Sequence, residues 1–434
     1  MNCLYNYYNR LTSLIVILLI SGGGSALFAQ NERVKIDFEH IFGHEALFQV
    51  LRDEAFLNPA NQLNEKYASG HFFQVIYGDI TLSENLFFQI GTRVKWFGWH
   101  NGMDTDTIGV NLYGITENDS FDIENWQLTY IWPEAFFSMG IGSLPWTPGP
   151  AKQLKAANYF EWLFGEEKNK TLLWSAFTFE QSSIKFVYAP RGPWVPESFL
   201  ENSPSILPGS SIFYSQGQFF AGSLDIGLFV SWDNDWTTGG WASYMIGTDL
   251  LAYGEASYTT KNWMPLLDSS NFTVTMTRKN GIRTMGGILY SLPLIDLSFY
   301  FEVMYIGDAY DKKEWENLTQ TLSTANSILG PAAAGVRGSV LQHMRWSYMS
   351  PWNYALHLRP NSSLFNILKW SYSIRYGILG DFYSRVDLSF KIFEGVEFLF
   401  LWDVPFAWGE DIGGRGTEYF LYEQRLKLSI QVTL

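Results

Sequence analysis

Cysteine is all but absent. Cys3 is the only one, and it stands at the extreme N-terminus of the 434 residues. Such a chain cannot be a disulfide scaffold. Charge is sparse as well: 17% of residues are Asp, Glu, Lys or Arg, and the balance is acidic, with a net charge of −14. That balance argues against nucleic acid as a partner, because a phosphate backbone selects a basic surface. Beyond the N-terminus there is no apolar run of roughly 20 residues, the length a spanning helix needs. A bundle of membrane helices is thereby excluded. Histidine is scarce too, at six residues, which limits the room for acid–base or metal chemistry.

The apolar run at the N-terminus is short and flanked as a secretory leader is. Arg10 precedes Leu14-Ile15-Val16-Ile17-Leu18-Leu19-Ile20, small residues follow from Ser21 to Ala26, and Ala29-Gln30 offers a cleavage point. Residues 1–29 are therefore read as a signal peptide. Cys3 precedes the apolar core and so cannot serve as a lipid-anchored cysteine behind it. In a bacterial exported chain, Asn271-Phe272-Thr273 and Asn317-Leu318-Thr319 are chance sequons.

Large rings are abundant, with 18 Trp, 24 Tyr and 34 Phe. Many stand in short segments of alternating polarity. The clearest is the C-terminus, where Leu426, Leu428, Ile430, Val432 and Leu434 alternate with Lys427, Ser429, Gln431 and Thr433. Strand side chains have a period of two, so this strand has one apolar and one polar face. Lipid outside and a wet lumen inside demand such a strand. The same rhythm recurs at 72–82, 86–98, 126–132, 136–144, 172–179, 184–189, 387–392 and 396–404. Further candidates are 211–220, 223–232, 240–249, 252–261, 272–279, 282–291, 296–306, 340–349 and 368–378. Short turns (133–134, 180–182, 394–395) alternate with long polar connections (99–121, 145–170, 191–209, 307–338, 405–417).

The fold class expected is all-β: a transmembrane antiparallel barrel of about 16 strands, within a range of 14 to 18, with the short turns periplasmic and the long loops extracellular. It would occupy 70–434 in the outer membrane of a bacterial cell. Residues 30–69 would form a plug or a first strand, with a short helix over His44 to Phe56. Asn280-Gly281 reads as a hairpin turn.

Catalysis has little support, and the chain is not read as an enzyme. His40 and His44 are spaced to share a helix face, but Ile41 stands where a metalloprotease motif needs glutamate. His343 has no matched partner for a nucleophilic or acid–base set. No cofactor or metal is implied. The residues expected to matter are charges on the polar strand faces, as pore-lining candidates: Arg93, Lys95, Arg345, Arg375, Arg385, Lys391, Arg425 and Lys427, against Glu255, Glu302 and Glu397. Asp387, Asp403 and Glu423 add acid on other strands. Charges segregated by sign would set up a transverse field across a pore. Charges paired with each other would instead stiffen a closed lumen. Glu314 to Leu329 has helical composition, in a connection long enough to narrow the pore or form an outer lid. Trp232 to Trp241 mixes rings with carboxylates, which suits either a sugar or an interfacial girdle.

The segment Trp126-Gln127-Leu128-Thr129-Tyr130-Ile131-Trp132-Pro133-Glu134-Ala135-Phe136-Phe137-Ser138-Met139-Gly140-Ile141-Gly142 resembles a hairpin of bacterial porin-like families, among them the alginate-export and related substrate-channel barrels. The last strand resembles the signal read by the barrel assembly machinery. That signal usually ends in Phe, and Leu434 departs from it. The resemblance implies outer-membrane lipid and the assembly machinery as partners, and solute passage. The function expected is passive or facilitated passage of small polar or anionic solutes. Two alternatives stand beside it: a structural or surface-interaction barrel with a plugged lumen, and a soluble exported glycan-binding β-protein. The sequence leaves the oligomeric state open.

Overall fold

The structure, a computed structural model, describes residues 35–51, 68–101, 120–145, 169–189, 211–232, 235–260, 263–279, 281–333, 335–337, 350–362, 367–407 and 422–433. The expected leader lies outside them, as do Arg345, His343 and the strand expected at 340–349.

Among the described residues, twenty strands follow one another. They are β1 (Lys35–Leu51), β2 (Ala68–Ser83), β3 (Leu86–Asn101), β4 (Ser120–Trp132), β5 (Phe137–Pro145), β6 (Asn169–Thr178), β7 (Ser182–Ala189), β8 (Ile212–Ala221), β9 (Leu224–Trp232) and β10 (Trp236–Ile246). Then come β11 (Leu250–Thr259), β12 (Trp263–Leu267), β13 (Val274–Arg278), β14 (Ile282–Leu292), β15 (Leu297–Ile306), β16 (Trp352–Pro360), β17 (Leu368–Gly377), β18 (Asp381–Phe393), β19 (Val396–Ala407) and β20 (Tyr422–Thr433). Among the described residues, helix α1 (Lys312–Leu329) lies between β15 and β16.

Eighteen of the strands form one antiparallel sheet, and β1 pairs with both β2 and β20. The sheet thus closes on itself with no free edge, which is the condition for crossing a membrane with strands. The count corrects the expected 16. Two further corrections concern single strands, one gained and one lost. The stretch expected to be helical from His44 is extended through Leu51 as part of the first strand, and it pairs with the last. The strand expected at 272–279 leaves the barrel: β13 pairs only with β12, while β14 pairs with β11. Gly281 therefore stands between this side hairpin and the wall, and Asn280 lies outside the described residues. Gly281 is required there, because a Cβ would stand 1.9 Å from the Thr259 carbonyl oxygen.

The two faces of the sheet differ as the alternation requires. One carries large apolar residues that stay exposed, such as Phe186 at 47%, Phe213 at 50% and Leu228 at 68%. The other carries nearly every buried polar or charged residue of the strands, among them Glu302, Arg375, His357 and Asp403. Curvature crowds the concave side, so the buried face is the inner wall. A continuous exposed apolar belt of this extent needs lipid around it, which is incompatible with the soluble glycan-binding alternative.

The turns at one end are short. Two of them repeat a single design. Pro133–Ala135 and Pro293–Ile295 each form one turn of 3₁₀ helix, closed by a residue in left-handed conformation, Phe136 at φ 50° and Asp296 at φ 52°. Proline presets the first φ, and its missing N–H is not needed at a helix start. The start of β1 and the end of β20 lie at this same end. The side hairpin and α1 lie at the other.

Candidate functional site

The inner wall has two chemically distinct arcs. The register places Arg93, Lys95, Arg375, Arg385, Lys391, Arg425, Lys427, Glu255, Glu302 and Glu397 all on it. The first arc runs from β17 through β18, β19, β20, β1 and β2 to β3. At mid-height it bears Arg375, Arg385, Arg425, Lys427, Arg93 and Lys95. Among the described side chains there, these six cations face three carboxylates: Glu45, Asp387 and Asp403.

The pairing is specific. Asp403 sits on one rung between Arg385 on β18 and Arg425 on β20. Nε and Nη2 of Arg425 both stand 3.3 Å from Asp403 Oδ2. Arg385 Nε donates to Asp387 Oδ1 at 2.8 Å, and Ser371 Oγ donates to the other oxygen of that carboxylate at 3.1 Å. Lys427 Nζ lies 2.9 Å from Glu45 Oε2. Arg375 Nε donates to Asn353 Oδ1 at 3.0 Å. His71 lies within electrostatic reach of Glu45, Lys95, Arg93 and Lys427, and the Arg93 guanidinium lies over the Phe73 ring. Nearer the short turns Lys391 faces Glu397 across β18–β19, while Asp37, Glu39 and Asp79 add acid. With Lys35 and Lys369 on the same face, the wall is basic at mid-height and of mixed charge towards the short-turn mouth.

The second arc, β6 to β10, carries an aromatic and apolar cluster beside the polar Gln216, Gln218 and Asp225. Leu172, Val187, Ala189, Ile212, Tyr214 and Phe229 form one buried cluster, with Trp174 and Trp241 packed against it. Lys185 lies over the Trp174 ring at 5.9 Å. Between the arcs, Tyr253 donates to Glu302 Oε1 at 2.5 Å, and His357 Nδ1 lies 2.7 Å from Ser373 Oγ.

At several places on the wall between β1 and β14, rings lie flat on glycine. The cross-strand pairs are Gly43–Phe73, Gly91–Tyr77, Gly140–Trp174, Gly227–Trp241, Gly239–Phe229 and Gly287–Tyr253. In each, a Cβ on the glycine would stand 3.0 Å or less from its partner's ring, down to 1.9 Å at Gly227. A ring laid along the wall takes less of the lumen than one pointing across it. Glycine also leaves the strand face open for that ring to pack, which a side chain would block.

The connection after β15 bends over the inner wall. Ala309 joins the buried cluster of Tyr253, Met285, Met304 and Ile306, all inward residues. Arg283 Nε donates to Asp308 Oδ1 at 2.9 Å. Lys279, at the end of the side hairpin, donates to the Ala309 carbonyl at 3.0 Å and pairs with Glu314. Glu314 also accepts from the Asp311 backbone N–H, closing a capping box that starts α1. The helix is about 27 Å long. The barrel is roughly 35 Å across between backbones, for strands about 4.8 Å apart at the usual tilt.

Several expected features lie elsewhere. His40 and His44 share the outward face of β1, where the His44 ring packs 4.7 Å from Phe72. The expected ring-and-carboxylate loop divides: Trp232 and Trp236 face each other on the outer rim, and Trp241 is inward. Sequence reasoning misses Glu45, His71, Asn353, His357, Trp174 and the glycine partners. Residues 45 and 353–357 lie in segments not read as strands, and a glycine's ring partner is visible only once the register is known.

No family model and no curated protein sequence matches the chain. Solved structures do. OccK8 (OprE) of Pseudomonas aeruginosa superposes with a TM-score of 0.52 at 8% identity, over 92% of this chain and 98% of that one. OccK11 (OpdR) of the same organism gives 0.49 at 8% identity, over 92% and 96%. A mutant of the Rh. blastica porin gives 0.44 at 9% identity, over 92% and 100%. The fold is that of a bacterial outer-membrane porin-like β-barrel.

Proposed function

We propose that this chain is an outer-membrane channel for the passive or facilitated passage of small polar or anionic solutes. The observation that carries the reading is the mid-height arc, where six cations face three carboxylates in a chain whose net charge is −14. Local positive excess against a global negative balance draws anions into the lumen and lowers their barrier there. The likeness of the Trp126–Gly142 hairpin to substrate-channel barrels supports the same reading. The test is the reversal potential of the purified protein in a planar bilayer under a KCl gradient. Anion preference supports the proposal, and cation preference sinks it.

A second reading rests on burial. Arg375, His357, Glu302 and Asp403 are each no more than 3% exposed, although an 18-stranded barrel has room for water. A lumen filled at that height would make the protein a structural or surface-interaction barrel. It predicts no conductance in the intact chain and the appearance of conductance once the connection bearing α1 is removed.

A further inference from the structure

No strand of the wall lacks a second partner, but at the seam β1 outruns one of its two. β1 pairs with β2 from Lys35 onward, whereas its pairing with β20 starts only at Ile41, opposite Thr433. Among the described residues, 35–40 therefore have a neighbouring strand on one side alone. Other junctions are staggered far less. Leu86 of β3 pairs with Tyr130, two residues from the end of β4, and Ser182 of β7 pairs with Phe219, two residues from the end of β8. The overhang of six residues is roughly 20 Å of strand, at about 3.4 Å per residue. It lies at the short-turn end, past the last rung of β20. Lys35, Asp37, Phe38 and Glu39 are all exposed there. The Phe38 ring leans over Gly78 of β2, where a Cβ would stand 2.9 Å from it, and so leans away from the open side. In an antiparallel ladder alternate residues turn their N–H and C=O to the same neighbour, so about three of the six turn theirs to the empty column.

We propose that this overhang is a docking edge for an extended segment of a partner protein, on the side of the membrane that the short turns face. The segment would add antiparallel to β1, in the column that β20 leaves empty. Main-chain hydrogen bonds would hold it, and the alternate side chains of β1 would select it. On the outer face Ile36 and Phe38 suit apolar residues opposite them. On the inner face Asp37 and Glu39, with Asp79 beside Asp37 on β2, outnumber Lys35. That face suits Lys or Arg, since opposite charges across a strand pair attract. The partner segment thus alternates apolar and basic residues. A second copy of the chain does not fit. Two barrels related by a two-fold axis along the membrane normal keep their β1 strands pointing the same way through it and tilted oppositely. At the usual tilt they cross at roughly 80°, which forbids an antiparallel ladder.

The proposal rests on the register at the seam and is independent of what passes through the lumen. The full chain, folded in detergent and heat-modifiable on a gel, is titrated into a fluorescein-labelled peptide of alternating valine and lysine, long enough to span the overhang. Anisotropy should report saturable binding. Two further peptides keep the same side chains and are N-methylated at every second residue, one in each phase. Only one phase removes the donors that face β1, so it should bind about tenfold more weakly than the other. Asp37→Lys/Glu39→Lys should bind a valine–glutamate peptide in preference to the valine–lysine one. If that variant is not heat-modifiable, the two methylated peptides on wild type carry the test. No saturable binding to wild type, equal affinity of the two methylated phases, or an unchanged preference in the folded double variant overturns the docking edge. So does binding that appears only once residues 30–34 are removed, which would assign the edge to the chain's own N-terminal segment.

Discussion

Arg425 holds Asp403 across the β19–β20 pair with two nitrogens on one oxygen, and the carboxylate it holds is fully buried. Arg385 is the register partner of Asp403 on the other side. One carboxylate thus separates two guanidinium groups on the inner wall. Removing the charge in Asp403→Asn leaves both cations facing each other. Breaking a buried pair from one side costs about 3 kcal/mol, so the urea midpoint of the heat-modifiable band should fall. The same change makes the arc more positive, so anion preference should rise in bilayers. A variant that loses stability and shifts towards cations would contradict the placement of Asp403.

Lys427 tests the arc from the other direction. Its partner Glu45 faces it on the adjacent strand. Lys427→Gln removes one cation and exposes an unpaired carboxylate, and both changes favour cations. The chloride-to-potassium permeability ratio should drop by about twofold or more, with folding retained because Lys427 is partly exposed. An unchanged ratio would place Lys427 outside the conducting path.

Glu314 both caps α1 and pairs with Lys279. Glu314→Gln separates the two roles, since glutamine also suits a capping box but carries no charge for the lysine. Together with Asp308→Asn, it cuts the ion pairs that tie the β15–β16 connection to the inner rim. Single-channel records should then show frequent transitions between sublevels, and deleting 312–333 should raise the open conductance in one step. Steady, identical records in all three proteins would make α1 an external feature with no hold on the mouth.

Gly227 lies under the Trp241 ring, with 1.9 Å for a Cβ that needs more than 3 Å. Gly227→Ala must lift the indole off the wall, at a cost of about 1–3 kcal/mol. In a double-mutant cycle with Trp241→Ala most of that cost should vanish, because the two residues share one space. Additive effects on the urea midpoint would show that the ring does not rest on this glycine.

What the sequence discloses follows from how local each feature is. The alternation in β20, β18, β19 and the β2–β3 hairpin is carried by neighbouring residues, so these strands and their inward charges are legible in the sequence alone. β1 is not. Its outward face mixes Phe38 and Phe42 with His40 and His44, its inward face mixes Ile41 with Glu45, and neither face is uniform. β16 alternates Tyr354, Leu356 and Leu358 with Asn353, Ala355 and His357, but Pro351 and Pro360 at its ends disguise it as a loop. Strand β13 shows the limit of another kind. A period of two identifies a strand and says nothing about its partner, and the partner here is β12 rather than the wall. The Arg385–Asp403–Arg425 rung is of the same class. Each residue is visible as an inward charge, whereas their meeting on one rung depends on the register of three strands. The long connections are polar whether they fold inward or outward. The bend of Asp308 and Ala309 over the inner wall therefore has no local signal.

The central claim is that a folded barrel conducts anions. The most direct test is the reversal potential of purified, heat-modifiable protein in a planar bilayer, with a tenfold KCl gradient across it. The account predicts stepwise conductance with a reversal potential of the sign that chloride sets, reduced in Lys427→Gln. No conductance from a fully folded protein, or a reversal potential of the sign that potassium sets, would contradict it.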